Sequence, residues 1–267
     1  MPTYLSDDAI CLRVTDFSET SQIVALLTRS HGLLPLIAKG SKRQTQKNTM
    51  SGPLDLLTSG EVVFIPAKGA AELGTLAAWE LVNHRTQLRA DFPALNAAML
   101  AAEITLHLLQ PHDPHPPLFA ELDAALELFT SSQRTRAIVA YAKSALDDAG
   151  YAPQFHACLA CRKPITADIP LRFNPTAGGI TCQTCPTQGS AGQGLATTGK
   201  IAIALTRLPK PTTLLTQSPD RPADPTALHS ALQLLLAHIE SITHKPLKTR
   251  YLLPSIFNLR PTPPTPD

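Results

Sequence analysis

Along "DAICLRVTD" the residues Ile10, Leu12 and Val14 alternate with Cys11, Arg13 and Thr15, the two-residue period of a strand. Two more apolar runs, "SQIVALLTRSHG" and "LLPLIAKGS", are broken at Gly32. Two further runs, "PLDLLTSGEVVFIPAKG" and "AELGTLAAWELV", are punctuated by Gly and Pro. About five strands are thus predicted in roughly the first eighty residues, with no helical period between the first three. A five-stranded Greek-key barrel of the OB type closes such a unit, because closure removes the edges that an open sheet would expose.

Beyond this region the period changes. In "DFPALNAAMLAAEITLHLLQ" the residues Leu95, Met99, Ala102, Leu106 and Leu109 recur at steps of four and three, the stripe of an amphipathic helix that Asp91 and Pro93 start and Pro111 stops. "PLFAELDAALELF" repeats the pattern with Leu118, Leu122, Ala125 and Phe129, and "RTRAIVAYAKSALDDAG" predicts a third helix ended by Gly150. A fourth, "DPTALHSALQLLLAHIESITHK", has Asp224 as N-cap, Pro225 in its first turn, and the stripe Leu228, Leu232, Leu235, Ile239 and Ile242. These stripes read as core faces, and His107 and His238 beside them read as structural. The fold class is therefore α+β, with a barrel domain over residues 1–82 and a helical domain over residues 83–267. The proline-rich end from about residue 260, "RPTPPTPD", has nothing to bury and is expected to be disordered.

Composition narrows the class further. No run is long and apolar enough to cross a bilayer, and "MPTYLSDDAI" lacks the basic and apolar regions of a signal peptide, so the expected address is the cytoplasm. A net charge of +2 does not by itself demand a polyanionic partner, because basic residues can be gathered on one face. Such a gathering occurs between the third and fourth strand runs, where Lys39, Lys42, Arg43 and Lys47 fall in "AKGSKRQTQKNTMSG" without one acidic residue. A solvated loop is the plain reading of this segment. On a barrel of this type it also suits a basic arm that neutralises the phosphates of a single strand, and Arg13 and Arg29 extend that surface. Candidate stacking aromatics are few: Tyr4, Phe17, Phe64 and Trp79.

The chemistry of the chain is concentrated in its cysteines. Cys158, Cys161, Cys182 and Cys185 form C-x2-C-x20-C-x2-C, two complete knuckles at the separation of a metal ribbon spanning about residues 156–187. Four thiolates closing a tetrahedral shell favour one structural Zn2+; an iron centre of rubredoxin type and redox disulfides share the pattern. Between the knuckles "LRFNPTAGGITC" reads as strand, turn, strand, with Gly178 and Gly179 at the reversal. A catalytic zinc keeps a coordination position open, and four thiolates leave none. The nucleobase-deaminase pattern needs His-x-Glu before Pro-Cys-x-x-Cys, but here His156 is followed by Ala157 and Cys158, and Pro186 comes after the second knuckle. Cys11 lies in an apolar run and reads as a small buried hydrophobe. His112, Asp113 and His115 sit in a proline-stiffened turn, and the carboxylate pairs Asp7/Asp8 and Asp147/Asp148 at a terminus and a helix end, where solvated charge is the default. With no phosphate-binding loop, serine elbow or zinc-protease motif, the chain is not expected to be an enzyme.

The order of these parts resembles the RecO family of bacterial recombination mediators. The likeness is carried by "VTDFSETSQIVALLTRSHG" with Glu19 and Ser21, by "LIAKGSKR" with Gly40, by "LDDAGYAPQFHACLAC" running into the first knuckle, and by "HKPLKTRYLL" near the end. The resemblance implies a nucleoid-associated, non-enzymatic DNA repair protein. Such a protein binds single- and double-stranded DNA, anneals complementary strands, contacts the single-stranded-DNA-binding protein, and with RecR helps load the RecA recombinase. It also implies DNA contacts at Lys39, Lys42, Arg43 and Lys47 and protein docking on the helical region. The rival reading is a zinc-ribbon adaptor that binds only proteins.

Overall fold

The computed structural model describes residues 3–43, 52–67, 72–185, 194–217 and 224–258; Lys47 and the proline-rich end lie outside the described residues. The five predicted strands form as β1 (Leu5–Asp16), β2 (Gln22–Thr28), β3 (Gly32–Ala38), β4 (Ser59–Ile65) and β5 (Gly74–Asn83). They close in the order β1-β2-β3-β5-β4, with β3 and β5 parallel and the other pairs antiparallel, the topology of an OB-type barrel. Its core gathers alternate residues of the strands, Val24 and Leu26, Leu34 and Leu36, Val62 and Phe64, and on β5 Leu76 and Trp79, which a bulge at Ala77 brings to one face. On β1 the core-facing residues are Ala9 and Cys11, then the partly buried Val14, rather than a single Ile10, Leu12, Val14 face as the alternation suggests. The cause is a bulge: Cys11 pairs with Leu26 and Arg13 with Ala25, so Leu12 is an extra residue and the strand changes face there. Ile10 and Leu12 are nevertheless fully buried.

The chain clusters into two compact units, one of residues 1–90 and 109–123, the other of residues 91–108 and 124–267. A short helix α1 (Thr86–Ala90) ends the first stretch of the barrel unit. In the same unit Pro111 bridges Leu33, and the His112 N–H donates to the Leu33 carbonyl at 3.0 Å. Gly32 makes this approach possible: at φ +71°, a Cβ there would lie 2.1 Å from the Asp113 carbonyl oxygen.

The helical elements are α2 (Phe92–Leu108), α3 (Pro116–Leu128), α4 (Arg134–Asp148), α5 (Gly199–Arg207), α6 (Pro211–Thr216), α7 (Pro225–Thr243) and α8 (Leu253–Ile256). The stripes predicted for α3 and α7 are buried, apart from half-buried Ile242. Asp224 caps α7 by accepting from the Thr226 N–H at 2.9 Å, and Gly150 follows α4 in the left-handed region. The α2 stripe is different: Leu95, Met99 and Leu106 are only half-buried, while Ala94, Ala97, Ala98, Ala101 and Ile104 are buried. An alanine-rich face admits neighbours close to the helix backbone, so it takes the interior position that larger side chains were expected to hold. No described helix is long and apolar enough to cross a membrane.

Candidate metal centre and nucleic-acid interface

The ribbon is a three-stranded sheet of β6 (Pro170–Asn174), β7 (Gly179–Cys182) and β8 (Leu195–Thr198), ordered β7-β6-β8. The strand, turn and strand expected between the knuckles are β6 and β7, joined through Gly178 at φ +61°. The third strand, β8, carries no period of its own that would have marked it. At the first knuckle the Arg162 N–H donates to the Cys158 carbonyl and the Cys158 N–H to the Lys163 carbonyl, both at 3.0 Å; at the second the Cys185 N–H donates to the Cys182 carbonyl at 3.1 Å. These turns bring all four sulfurs within 4.8 Å of one another, the only such cluster of metal-binding groups among the described residues.

The donor set fits a tetrahedral ion. Metal–sulfur bonds of about 2.3 Å place sulfurs about 3.8 Å apart on a tetrahedron's edges, and the Cys161–Cys182 and Cys182–Cys185 sulfurs lie at 3.5 and 3.6 Å. Burial opposes a thiolate at Cys158, but backbone N–H groups, chiefly those of Cys161 and Cys182, outweigh it and bring the thiol down to about 6. Hydrogen bonds shared with the sulfurs of Cys158, Cys161 and Cys185 push Cys182 up to about 12. A thiolate at Cys158 thus raises the thiols of Cys182 and Cys185 beside it, and a cation among the sulfurs would relieve that repulsion.

Apolar side chains of the ribbon are buried as well, and they pack in part on α7, where the Phe173 ring meets that of His238 edge-on at 6.1 Å. Leu171, Phe173 and Ile180 are buried with Phe155, whose ring stacks on Phe173 at 5.5 Å. The turn between β6 and β7 is held to α7 by His238, whose Nδ1 lies 2.5 Å from the Pro175 carbonyl oxygen and whose Nε2 lies 3.1 Å from that of Tyr151. A Cβ at Gly178 would meet the His238 ring at 2.7 Å. His238 is thus structural, as its place beside the α7 stripe suggested. His112 is exposed, and His115 lies 3.4 Å from Asp113.

The basic residues cluster at one end of the β2–β3 hairpin. Lys39 and Arg43 are exposed, and Lys42 is half-buried with its Nζ 2.6 Å from Asp16 Oδ1. The Lys42 N–H donates to the Thr20 carbonyl at 3.2 Å and the Gly40 N–H to Ser21 Oγ at 3.4 Å, so the loop after β1 and the segment after β3 are stitched together. Arg13 is exposed on the barrel wall opposite Ala25, three residues before Asp16. Arg29 stands at the other end of the hairpin, about 20 Å away along the strands. There its guanidinium pairs with Asp8 at 3.0 Å and covers the Phe119 ring at 4.6 Å. The structure therefore brings Lys39, Lys42 and Arg43 to one end of the hairpin, leaves Arg29 at the other, and places Arg13 midway along it, opposite Ala25.

Of the four candidate stacking aromatics, Phe64 and Trp79 lie in the barrel core, while Tyr4 and Phe17 are exposed. Sequence reasoning missed Gln22. It is buried, accepts from Ser41 Oγ and the Leu54 N–H through Oε1, both at 3.0 Å, and donates through Nε2 to the Leu54 carbonyl at 3.2 Å. One amide thereby joins the residues on either side of the basic segment. Its signal was available: Gln22 shares strand parity with the core residues Val24 and Leu26, and a polar group at such a position needs partners.

Comparison with known proteins agrees with this architecture. Residues 1–85 match the family model described as Recombination protein O N terminal, and residues 89–250 that described as Recombination protein O C terminal. Among relatives, the DNA repair protein RecO of Myxococcus xanthus (strain DK1622) is 30% identical over 180 residues, covering 67% of this chain and 71% of the relative. That of Anaeromyxobacter sp. (strain K) is 31% identical over 177 residues, 66% and 68% of the two chains. That of Synechococcus sp. (strain JA-3-3Ab) is 26% identical over 271 residues, spanning 97% of this chain and 88% of the relative. A closed barrel, a helical region and a four-cysteine ribbon, matched by both family models in chain order, make this chain a member of the recombination protein O family.

Proposed function

We propose that this protein is a non-enzymatic DNA repair and recombination mediator that binds single- and double-stranded DNA and anneals complementary strands. In the same reading it acts at the nucleoid in the cytoplasm and helps load RecA together with RecR, with the single-stranded-DNA-binding protein as a further partner. The relatives' shared name as DNA repair proteins supports the process. The observation that carries the mechanism is the cluster of Lys39, Lys42 and Arg43 at one end of the barrel, with Arg13 on the adjoining wall. Lysine and arginine release counterions from phosphates without reading base edges, so two strands held there repel each other less and keep their bases free to pair. Lys47 belongs to the same proposed set. Arg29, tied to Asp8 and Phe119, would extend the surface only at the far end of the hairpin.

The four cysteines hold one structural Zn2+ in this reading, and its chemistry is that of a staple: it joins two knuckles and offers no open coordination position. Protein partners are assigned to the helical unit. The test is the rate at which two dye-labelled complementary strands anneal, with the wild type and with Lys42→Ala/Arg43→Ala. Acceleration by the wild type that the double variant loses supports the mediator reading. Unchanged DNA binding and annealing in a folded double variant would turn the function to that of an adaptor binding only proteins.

A further inference from the structure

We infer that Phe17 is a stacking platform for an unpaired base, so that the basic cluster of the barrel selects single-stranded over duplex DNA. The inference rests on the DNA-contact reading of that cluster and adds to it the class of strand that it prefers.

The loop between β1 and β2, residues 17–21, leaves the Phe17 side chain in water, with the residue 61% exposed. Its backbone is held by four hydrogen bonds within the loop. The N–H groups of Phe17 and Ser18 donate to the Ser21 carbonyl at 3.0 and 3.2 Å, and those of Thr20 and Ser21 to Ser18 Oγ at 3.4 and 3.2 Å. The ring is therefore presented by a bonded loop. That loop is also stitched to the basic segment: Thr20 accepts from the Lys42 N–H, Ser21 from that of Gly40, and Asp16, the residue before Phe17, pairs with Lys42. An exposed phenyl thus sits one residue from an ion pair made by one of the proposed phosphate-binding lysines. The other exposed candidate, Tyr4, precedes the opposite end of β1, about 40 Å away along a strand of twelve residues.

Cations that follow a backbone beside an aromatic face on which a base can lie are the features of a single-strand site. In a duplex both faces of each base are already stacked, so the same phenyl gains nothing there. The structure assigns to Phe17 a contact that duplex DNA cannot make.

The test measures binding of the full chain to a labelled oligothymidylate, to a duplex of the same length and to an abasic strand of the same length. Phe17→Ala is expected to weaken oligothymidylate binding by about tenfold and to leave the duplex and the abasic strand unchanged. Phe17→Trp should restore the affinity and show indole quenching with oligothymidylate but not with the abasic strand. The chain's single native tryptophan, Trp79, is buried and leaves that signal separable. Wild-type affinity in Phe17→Ala, or an equal loss on all three ligands, overturns the stacking role. Loss of binding in Lys42→Ala/Arg43→Ala alongside an unaffected Phe17→Ala removes the stacking role alone. A double variant that binds all three like the wild type removes the DNA-contact reading beneath it.

Discussion

Lys42 meets a counter-charge inside its own cluster, because its ammonium lies 2.6 Å from the Asp16 carboxylate, which is largely exposed to solvent. An exposed pair of this kind contributes only about 0–1 kcal/mol, so a phosphate can displace the carboxylate with little loss. Asp16→Asn should therefore tighten oligothymidylate binding by roughly two- to fivefold at low salt, measured by fluorescence anisotropy, and the gain should shrink as salt rises. Weaker binding in Asp16→Asn would mean that the carboxylate is needed to hold Lys42 in its binding position. Other side chains show how far single residues could be read from sequence. Cys11 was legible as a buried hydrophobe: it is fully enclosed, and burial pushes its thiol up to about 12, which keeps it protonated and unreactive at neutral pH. Phe64 and Trp79 were not separable from Phe17 by type, since an aromatic residue suits both a barrel core and a base. Strand parity places Phe64 with Val62 on the inner face, and a bulge at Ala77 puts Trp79, three residues after Leu76, on that same face.

Among the elements, the ribbon was the most legible and its surroundings the least. Two knuckles at that spacing announce a four-sulfur cluster on chemistry alone, whereas β8, which pairs Leu195–Thr198 with β6, is too short to show a period. The six-residue helix α6 was missed for the same reason, whereas α5, nine residues long with Ala202 and Leu205 on its buried face, carries a helical period that the sequence reading passed over. Cys182 ends β7 opposite Leu171 with the sulfurs of Cys161 and Cys185 at 3.5 and 3.6 Å, so it joins the sulfur cluster to the sheet. Cys182→Ser is expected to lower the melting temperature and the soluble yield, and a strong chelator should lower the melting temperature of the wild type but not of the variant. Since Phe155, Leu171, Phe173 and Ile180 supply an apolar core, metal loss should loosen the ribbon without unfolding the barrel, and DNA affinity should persist in protein that stays folded. Selective loss of annealing in a well-folded Cys182→Ser protein would make the ribbon part of the working surface.

For the whole molecule, a net charge of +2 hides the uneven placement of its basic residues. If about four phosphates are engaged on a single strand, log affinity should fall against log salt with a slope of about 3. Titrating oligothymidylate affinity across salt concentrations measures this, and a flat dependence would exclude the electrostatic mechanism. The sequence by itself determined the α+β class, the five barrel strands, the main helices, the four sulfur ligands and the basic segment. Each of these depends on local period, local caps or the spacing of chemically distinct side chains, and such information survives in a linear chain. The tertiary structure alone decided which face of β1 enters the core, where a bulge at Leu12 overrides the alternation. It also decided that Gln22 joins Ser41 to Leu54, that Arg29 is held by Asp8 and Phe119 at the far end of the hairpin, and that Asp16, the residue before Phe17, pairs with Lys42. These arrangements depend on barrel closure, which brings together residues tens of positions apart whose pairing no local pattern encodes.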